Sequence, residues 1–398
     1  MHKYAGVALK WSALFLIVMA VLVDSPVLFY MATAILVTIG AARLQAHLAV
    51  RYLRFERHTT PAVKVGEIVN MEILIWSERE LKRPLVTVID NIPKRLKIRD
   101  RTDCISVAPS FDQPISTRYS FRPMRRGRFS WSQLTLRGTD ALGLVTVSKV
   151  HQTEPVNLVV YPAPLPFPHE IPAGMGWGAS DLDSGHSRGS GLEPRGVREY
   201  ANGDPLRYVH WRSSARRGKL MVKEFETGSG VSLNLVLQRT RGSEVGNDAT
   251  STFETMCGHA LTIADDYLSK GAAVRFPLQE GGDTHLEHAE VRKREVKEVL
   301  TDINADSLTK ISEDLMMVAP QLREGETVVV LLAQADHDLP AALRHIAAVQ
   351  FVCVLYNPLE FGRPEASFGT PATDPEYIDA LERAGAVVIV TSRSERHG

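Results

Sequence analysis

The residues best able to do chemistry gather between Arg195 and Glu226, in the run RGVREYANGDPLRYVHWRSSARRGKLMVKEFE. From Arg188 to Glu226, nine basic residues stand against five acidic ones. Two chemistries fit these types. Arginine's planar fork grips carboxylate or phosphate groups, and Arg207, Arg212 and Arg216 would share about one face if residues 205–217 were helical. That face would dock an anionic partner. Alternatively, Asp204, His210 and Glu224 could supply proton donors and acceptors for an enzyme of the cell envelope. The plainer expectation, and the favoured one, is that Trp211 anchors a core while Arg and Glu side chains tie the segment to a sheet. No Ser-His-Asp order, strained nucleophile turn or phosphate-cradling glycine loop accompanies His210, so a packed or hydrogen-bonding histidine is expected there. Asp265 and Asp266 are sequence neighbours on a helix and point apart.

Bulk properties narrow the field. The 398 residues hold 46 Lys+Arg against 46 Asp+Glu, with 44% apolar and 23% charged residues. This is ordinary globular composition, sufficient for two or three domains. The charge balance speaks against a dedicated nucleic-acid binder, whose affinity comes largely from excess positive charge. Cys104, Cys257 and Cys353 are odd in number and far apart. Neither a disulfide framework nor a metal spacing is suggested, and a reducing compartment fits.

Something must hold this segment in place, and the chain begins with a membrane-like stretch. From Trp11 to Ala42 the only charged residue is Asp24. The stretch is too long for one span of roughly 20 residues and suits two short ones. Asp24-Ser25-Pro26 reads as the turn between spans near residues 5–23 and 26–42. A cleaved signal peptide is the rejected alternative, because the apolar region runs on past a signal's length. Lys3 and Lys10 before the first span, and Arg43, Arg51, Arg54 and Arg57 after the second, place both ends in the cytoplasm by the positive-inside rule.

Residues 58–161 read as a β-sandwich, with strand-like runs at Val69–Ile75, Leu85–Ile89 and Ser130–Leu136 separated by turn residues. A basic cluster from Arg118 to Arg128 suggests a solvated strand edge. Residues 162–193, rich in proline and then glycine, read as a linker. Residues 194–398 hold the basic run and then alternate strands (231–237, 328–333, 351–356, 386–390) with helices (253–268, 289–303, 307–318, 339–348, 375–384). This alternation predicts a mostly parallel sheet covered on both faces. Residues 1–57 are left as the transmembrane hairpin and juxtamembrane segment.

The basic run closely resembles the signature of the bacterial family called "domain of unknown function fifty-eight". The residues that carry the resemblance are Arg198-Glu199-Tyr200, Gly203-Asp204, Arg207, Trp211, Ala215-Arg216, Lys219-Leu220 and Glu224. Arg125-Arg126-Gly127-Arg128-Phe129 and Asp140-Ala141-Leu142-Gly143-Leu144 look like further landmarks of the same family. The resemblance implies an α/β domain similar to von Willebrand factor A domains. It also implies association with MoxR-type AAA+ ATPases, sometimes with transglutaminase-like membrane proteins, and no established reaction. Metal-binding A domains end their first strand in Asp-x-Ser-x-Ser. Here that place holds Gln238-Arg239-Thr240-Arg241-Gly242, and Mg²⁺ prefers anionic oxygen. A degenerate site without metal is expected.

The sequence therefore predicts a transmembrane helical hairpin, a β-sandwich and a von Willebrand factor A-like domain in the bacterial inner membrane, with the soluble body cytoplasmic. The expected function is that of a non-enzymatic scaffold that uses no cofactor. Its partner-binding residues would be Arg198, Gly203, Asp204, Arg207, His210, Trp211, Arg212, Arg216, Lys219 and Glu224.

Overall fold

Proline at residue 26 can open a helix but not continue one, and the chain turns there. In the computed structural model, helix α1 (Ala5–Leu22) and helix α2 (Pro26–Ala49) pack side by side around a turn in which Asp24 has a φ of 50°. The structure describes residues 5–80, 83–172, 194–199, 209–225, 232–278, 289–346 and 349–391. The chain divides into two units, residues 1–160 and 161–398. Helix α2 runs for 24 residues and is long and apolar enough to cross a membrane; the apolar stretch of α1, Val7–Leu22, is shorter. Lys10 lies inside α1 rather than ahead of it.

The first unit continues with β1 (Leu53–Thr59), β2 (Ala62–Lys64), β3 (Val69–Ser77), β4 (Val86–Asp90), β5 (Ile98–Arg99), β6 (Ile115–Pro123), β7 (Gly127–Thr139) and β8 (Thr146–Tyr161). They form two four-stranded sheets, in the orders β1-β3-β6-β5 and β2-β8-β7-β4. The β1–β3, β3–β6, β4–β7 and β7–β8 ladders are antiparallel. Period-two alternation does the sorting: Val69, Met71, Ile73 and Ile75 on β3 are buried, as are Tyr119 and Phe121 on β6 and Leu134 and Leu136 on β7.

One polar cluster interrupts this apolar interior. Asp90 on β4 accepts from the Tyr119 hydroxyl at 2.7 Å and from the Trp131 indole at 2.9 Å, and it pairs with Arg57 on β1 at 3.2 Å. Both charged side chains are almost fully buried, at 2% exposure for Arg57 and 0% for Asp90. Burial pushes the Asp90 carboxyl above its ordinary value, against the pull of these donors. The cluster links the two sheets. It also corrects the flanking-charge count: Arg57 and Arg54 belong to β1, and Arg54 bonds Glu78. Arg43 and Arg51 remain as basic residues at the end of α2. The Arg118–Arg128 cluster is not a strand edge either. β6 lies between β3 and β5, and β7 between β8 and β4. Arg118 pairs with Glu72, Arg122 with Asp100, and Arg126 is buried.

Helix α2 docks directly onto the sandwich. A Cβ on Gly138 would meet the Val50 side chain at 2.8 Å and the Ala46 carbonyl at 3.0 Å, so only glycine permits this approach of β7. Arg83 donates to the carbonyls of Leu48 and Arg51, each at 2.6 Å, and so satisfies the open end of the helix.

The second unit carries β9 (Pro194–Glu199), α3 (Trp211–Arg217), β10 (Met221–Phe225), β11 (Ser232–Leu237), α4 (Thr252–Ser269), β12 (Ala273–Arg275), α5 (Ala289–Asp302), α6 (Ile311–Val318), β13 (Thr327–Leu332), α7 (Leu339–His345), β14 (Gln350–Tyr356), α8 (Pro375–Arg383) and β15 (Val387–Thr391). Five parallel strands form a sheet in the order β12-β11-β13-β14-β15. In chain order this is 2-1-3-4-5, the flavodoxin-like doubly wound arrangement. Alternate residues feed two cores: Leu235, Leu331 and Val354 pack with α4 and α5, whereas Val330, Cys353 and Leu355 pack with α6, α7 and α8. Cys353 is a small buried hydrophobe, and burial pushes its thiol up to about 12. In the first of these cores His259 on α4 is fully buried. Its Nδ1 lies 2.8 Å from the hydroxyl of Tyr356, and burial lowers its pKa to about 4.

The proline-rich start of the expected linker belongs to this unit. The Leu165 amide donates to the Gly258 carbonyl at 3.3 Å, Thr262 donates to the Leu165 carbonyl at 2.7 Å, and Tyr267 donates to the Ile171 carbonyl at 2.6 Å. Leu165 and Ile171 are buried, and Phe167 meets His259 edge-on. Residues 162–172 are thus a strap laid along α4. The rest of the expected linker, 173–193, lies outside the described residues.

Candidate functional site

The basic run folds locally into a ribbon and a short helix. β9 and β10 pair antiparallel, with Arg198 opposite Val222 and Glu224 opposite Gly196. Gly203, Asp204 and Arg207 lie outside the described residues, as do the side chains of Arg198 and Glu224. The Val209–Val222 bridge and the His210 amide bond to the Met221 carbonyl, at 2.7 Å, close the base of α3. His210 is the N-cap of α3: its Nδ1 accepts from the Ser213 amide at 3.1 Å. Ser214 is buried, accepts from the Met221 amide at 2.8 Å and donates back to the His210 carbonyl at 3.1 Å. Gly218 ends the helix with a φ of 66°, the left-handed conformation that favours glycine.

This arrangement overturns the expected core anchor. Trp211 is 68% exposed. It occupies the first turn of α3, where the inward position falls to Ser214. Arg212, Arg216, Arg217 and Lys219 are exposed beside it. Among the described residues the helix covers Trp211–Arg217 only, so the expected shared face is represented by Arg212 and Arg216, four positions apart. Of the three residues considered for proton transfer, His210 has its Nδ1 lone pair committed to a backbone amide.

The carboxyl ends of the parallel strands are the usual ligand crevice of such a sheet, at the point where the order reverses. Here that point lies between β11 and β13, and Gln238 fills it. Its Oε1 accepts from the amides of Ala333 and Gln334, both at 3.0 Å, and its Nε2 donates to the Gln334 carbonyl at 2.9 Å. At 2% exposure, Gln238 is a clamp between strand ends. Arg239 turns to the Asn304 carbonyl at 3.2 Å and to Asp306 at 3.5 Å; Thr240 donates to the Thr309 carbonyl at 3.1 Å. The three residues expected as a degenerate cation site are thus drawn to two different segments, Gln238 to the end of β13 and Arg239 and Thr240 to the loop between α5 and α6. Among the described residues no group of three or more His, Cys, Asp or Glu side chains is placed to hold a metal ion.

Around this crevice sits a polar rim that sequence reasoning missed. Asp336 is buried and accepts from the amides of Ser312 at 2.9 Å and Asp338 at 3.1 Å, while its own amide donates to the Tyr377 hydroxyl at 3.2 Å. Thr309 donates to Asp314 at 2.6 Å, and Lys310 pairs with Asp338 at 2.6 Å. The signal was present: Gln334-Ala335-Asp336-His337-Asp338 follows the apolar run Val328–Ala333. These bonds tie loops together. The arrangement is a braced strand end, in which the buried Asp336 carboxylate serves the backbone.

Comparison with known proteins sharpens the picture of the second unit. Residues 196–367 match the family described as "Protein of unknown function DUF58". The matched region runs from β9 to the loop before α8, so it takes in the α3 ribbon and the Gln238 clamp. The chain is also 25% identical over 308 residues to the uncharacterized protein YeaD of Bacillus subtilis (strain 168), covering 68% of this chain and 73% of that protein. Both findings support the DUF58 family. Among solved structures, a conjugative transposon lipoprotein from Bacteroides eggerthii DSM 20697 aligns over 26% of this chain and 98% of its own, at 8% identity and a TM-score of 0.14. A GH20 exo-β-N-acetylglucosaminidase from Vibrio harveyi aligns over 85% of this chain and 57% of its own, at 10% identity and a TM-score of 0.15. Scores this low carry no structural argument.

Proposed function

We propose that this chain is a non-enzymatic adaptor, held in the bacterial inner membrane by α1 and α2, whose cytoplasmic body docks a protein partner through α3. The observation that carries the reading is the exposure of Trp211 beside Arg212, Arg216 and Arg217. Tryptophan and arginine dominate the energetics of protein interfaces, and an exposed indole on a capped, pinned helix is pre-organised for contact. The cytoplasmic side rests on Arg43 in the last turns of α2 and Arg51 just beyond it, with no basic residue in the turn before the helix. The resemblance of the basic run supports a MoxR-type AAA+ ATPase as the partner, with a transglutaminase-like membrane protein as a further associate. The same resemblance supports a von Willebrand factor A-like assignment for the parallel-sheet domain. On the von Willebrand factor A-like reading, Gln238 would stand in place of the metal-binding Asp, and docking would proceed by direct contact rather than through a bridging cation.

The test is capture of partners by the full chain from detergent-solubilised membranes, with and without ATP. Wild type should retain an AAA+ ATPase, and Trp211→Ala and Arg212→Glu should lose it while melting as the wild type does. Equal capture by all three proteins would overturn α3 as the docking element.

A further inference from the structure

The β7–β8 hairpin runs along the last turns of α2 toward the apolar part of that helix. His151 on β8 meets the Val50 carbonyl at 2.9 Å, Gly138 lies against Ala46 and Ala49, and the Ala141 amide donates to Gln45 at 3.2 Å. Each step up the hairpin thus meets an earlier helix residue. Gln45 lies two residues, about 3 Å of helix rise, beyond Arg43, the first charge after the apolar stretch. The hairpin tip therefore reaches the level at which α2 would leave a bilayer.

The tip is rigid and apolar. Asp140 is buried and accepts from the amides of Leu142 at 3.1 Å and Val145 at 2.6 Å. Gly143 donates to the Asp140 carbonyl at 3.0 Å and takes a φ of 71°. This bonding holds Leu142 outward at 68% exposure, and Leu44 on α2 is exposed at 61%. Arg43 and Lys149 are exposed on the same two elements, and such residues attract anionic headgroups.

We infer that this hairpin tip is a second membrane contact, with Leu142 seated in the bilayer interface beside α2. The inference rests on α2 being a membrane span. The tip and the helix would then meet the lipid together and fix the tilt of the sandwich over the membrane.

The test uses the full chain with Cys104→Ser, the other two cysteines being fully buried. An environment-sensitive fluorophore is attached at Leu142→Cys, at Val37→Cys within α2, or at Ser130→Cys on the far part of β7. The proteins are reconstituted in phosphatidylcholine–phosphatidylglycerol vesicles containing lipids spin-labelled near the headgroup. The label at position 142 should emit to the blue of the one at 130 and be quenched several-fold more. Quenching at 142 equal to that at 130 would overturn the inference, as would a blue shift without lipid quenching, which marks a protein contact. Loss of quenching at position 37 as well would instead strike the spanning role of α2.

Discussion

Replacing His259 by glutamine should remove a specific slope from the pH dependence of unfolding. In the folded chain the imidazole is fully buried against Tyr356 and Phe167, and burial, with a smaller contribution from the nearby charge of His169, lowers its pKa to about 4 from an ordinary 6.5. The unfolded chain takes up this proton as pH falls through 6.5, whereas the folded chain resists until about 4. Between those values the unfolded state binds more protons, so stability falls as pH falls, and the loss is complete below the folded pKa. The full difference corresponds to about 3 kcal/mol. Between about pH 7.5 and about pH 5 the same relation gives a loss of about 2 kcal/mol. Urea melts of the full chain in detergent at the two pH values, followed by circular dichroism, measure it. His259→Gln keeps a hydrogen-bonding group for Tyr356 but has no proton to gain, so its loss should be smaller by about that 2 kcal/mol. An identical pH dependence in both proteins would refute the reasoning.

Asp90→Ala should destabilise the sandwich by about 3–5 kcal/mol because it strands the Arg57 guanidinium in the interior; pairing Asp90→Leu with Arg57→Met should recover most of that in denaturant melts. Trp211→Ala should shift stability by less than about 0.5 kcal/mol, since its side chain is exposed, while His210→Ala should cost about 1 kcal/mol by removing a cap; thermal melts separate them, and a large Trp211 effect would mean that the indole is packed. Gly138→Val should cost about 1–3 kcal/mol through overpacking against α2, with a matching rise in protease cleavage near Val50.

The parallel sheet was legible because its strands are continuous apolar runs and its helices keep a 3.6-residue period. The turn at Asp24-Ser25-Pro26 was legible because a carboxylate and a proline are both costly within a span. β12, Ala273–Arg275, was missed: three residues are too few to show a pattern. The strap was missed because proline dominates its composition, although Leu165 and Phe167 between the prolines are what pack on α4. Arg57 was counted as a flanking charge because its partner, Asp90, lies 33 positions away, and nothing local marks an arginine for burial. Trp211 failed for the opposite reason. Its residue type favours burial, but only the position of the helix turn decides which side faces out.

The strap along α4 bears on how the α/β unit can be excised. A fragment trimmed to the family-matched residues 196–367 would discard Leu165, Phe167 and Ile171, and with them the cover over one face of α4. The same cut would remove α8 and β15, baring Val352–Tyr356 of β14 as an open, apolar sheet edge. Such an edge templates pairing with other chains, so that fragment would aggregate even though every residue of the matched signature is intact. The physical domain begins at Tyr161 and extends through β15, wider at both ends than the region by which its relatives are recognised.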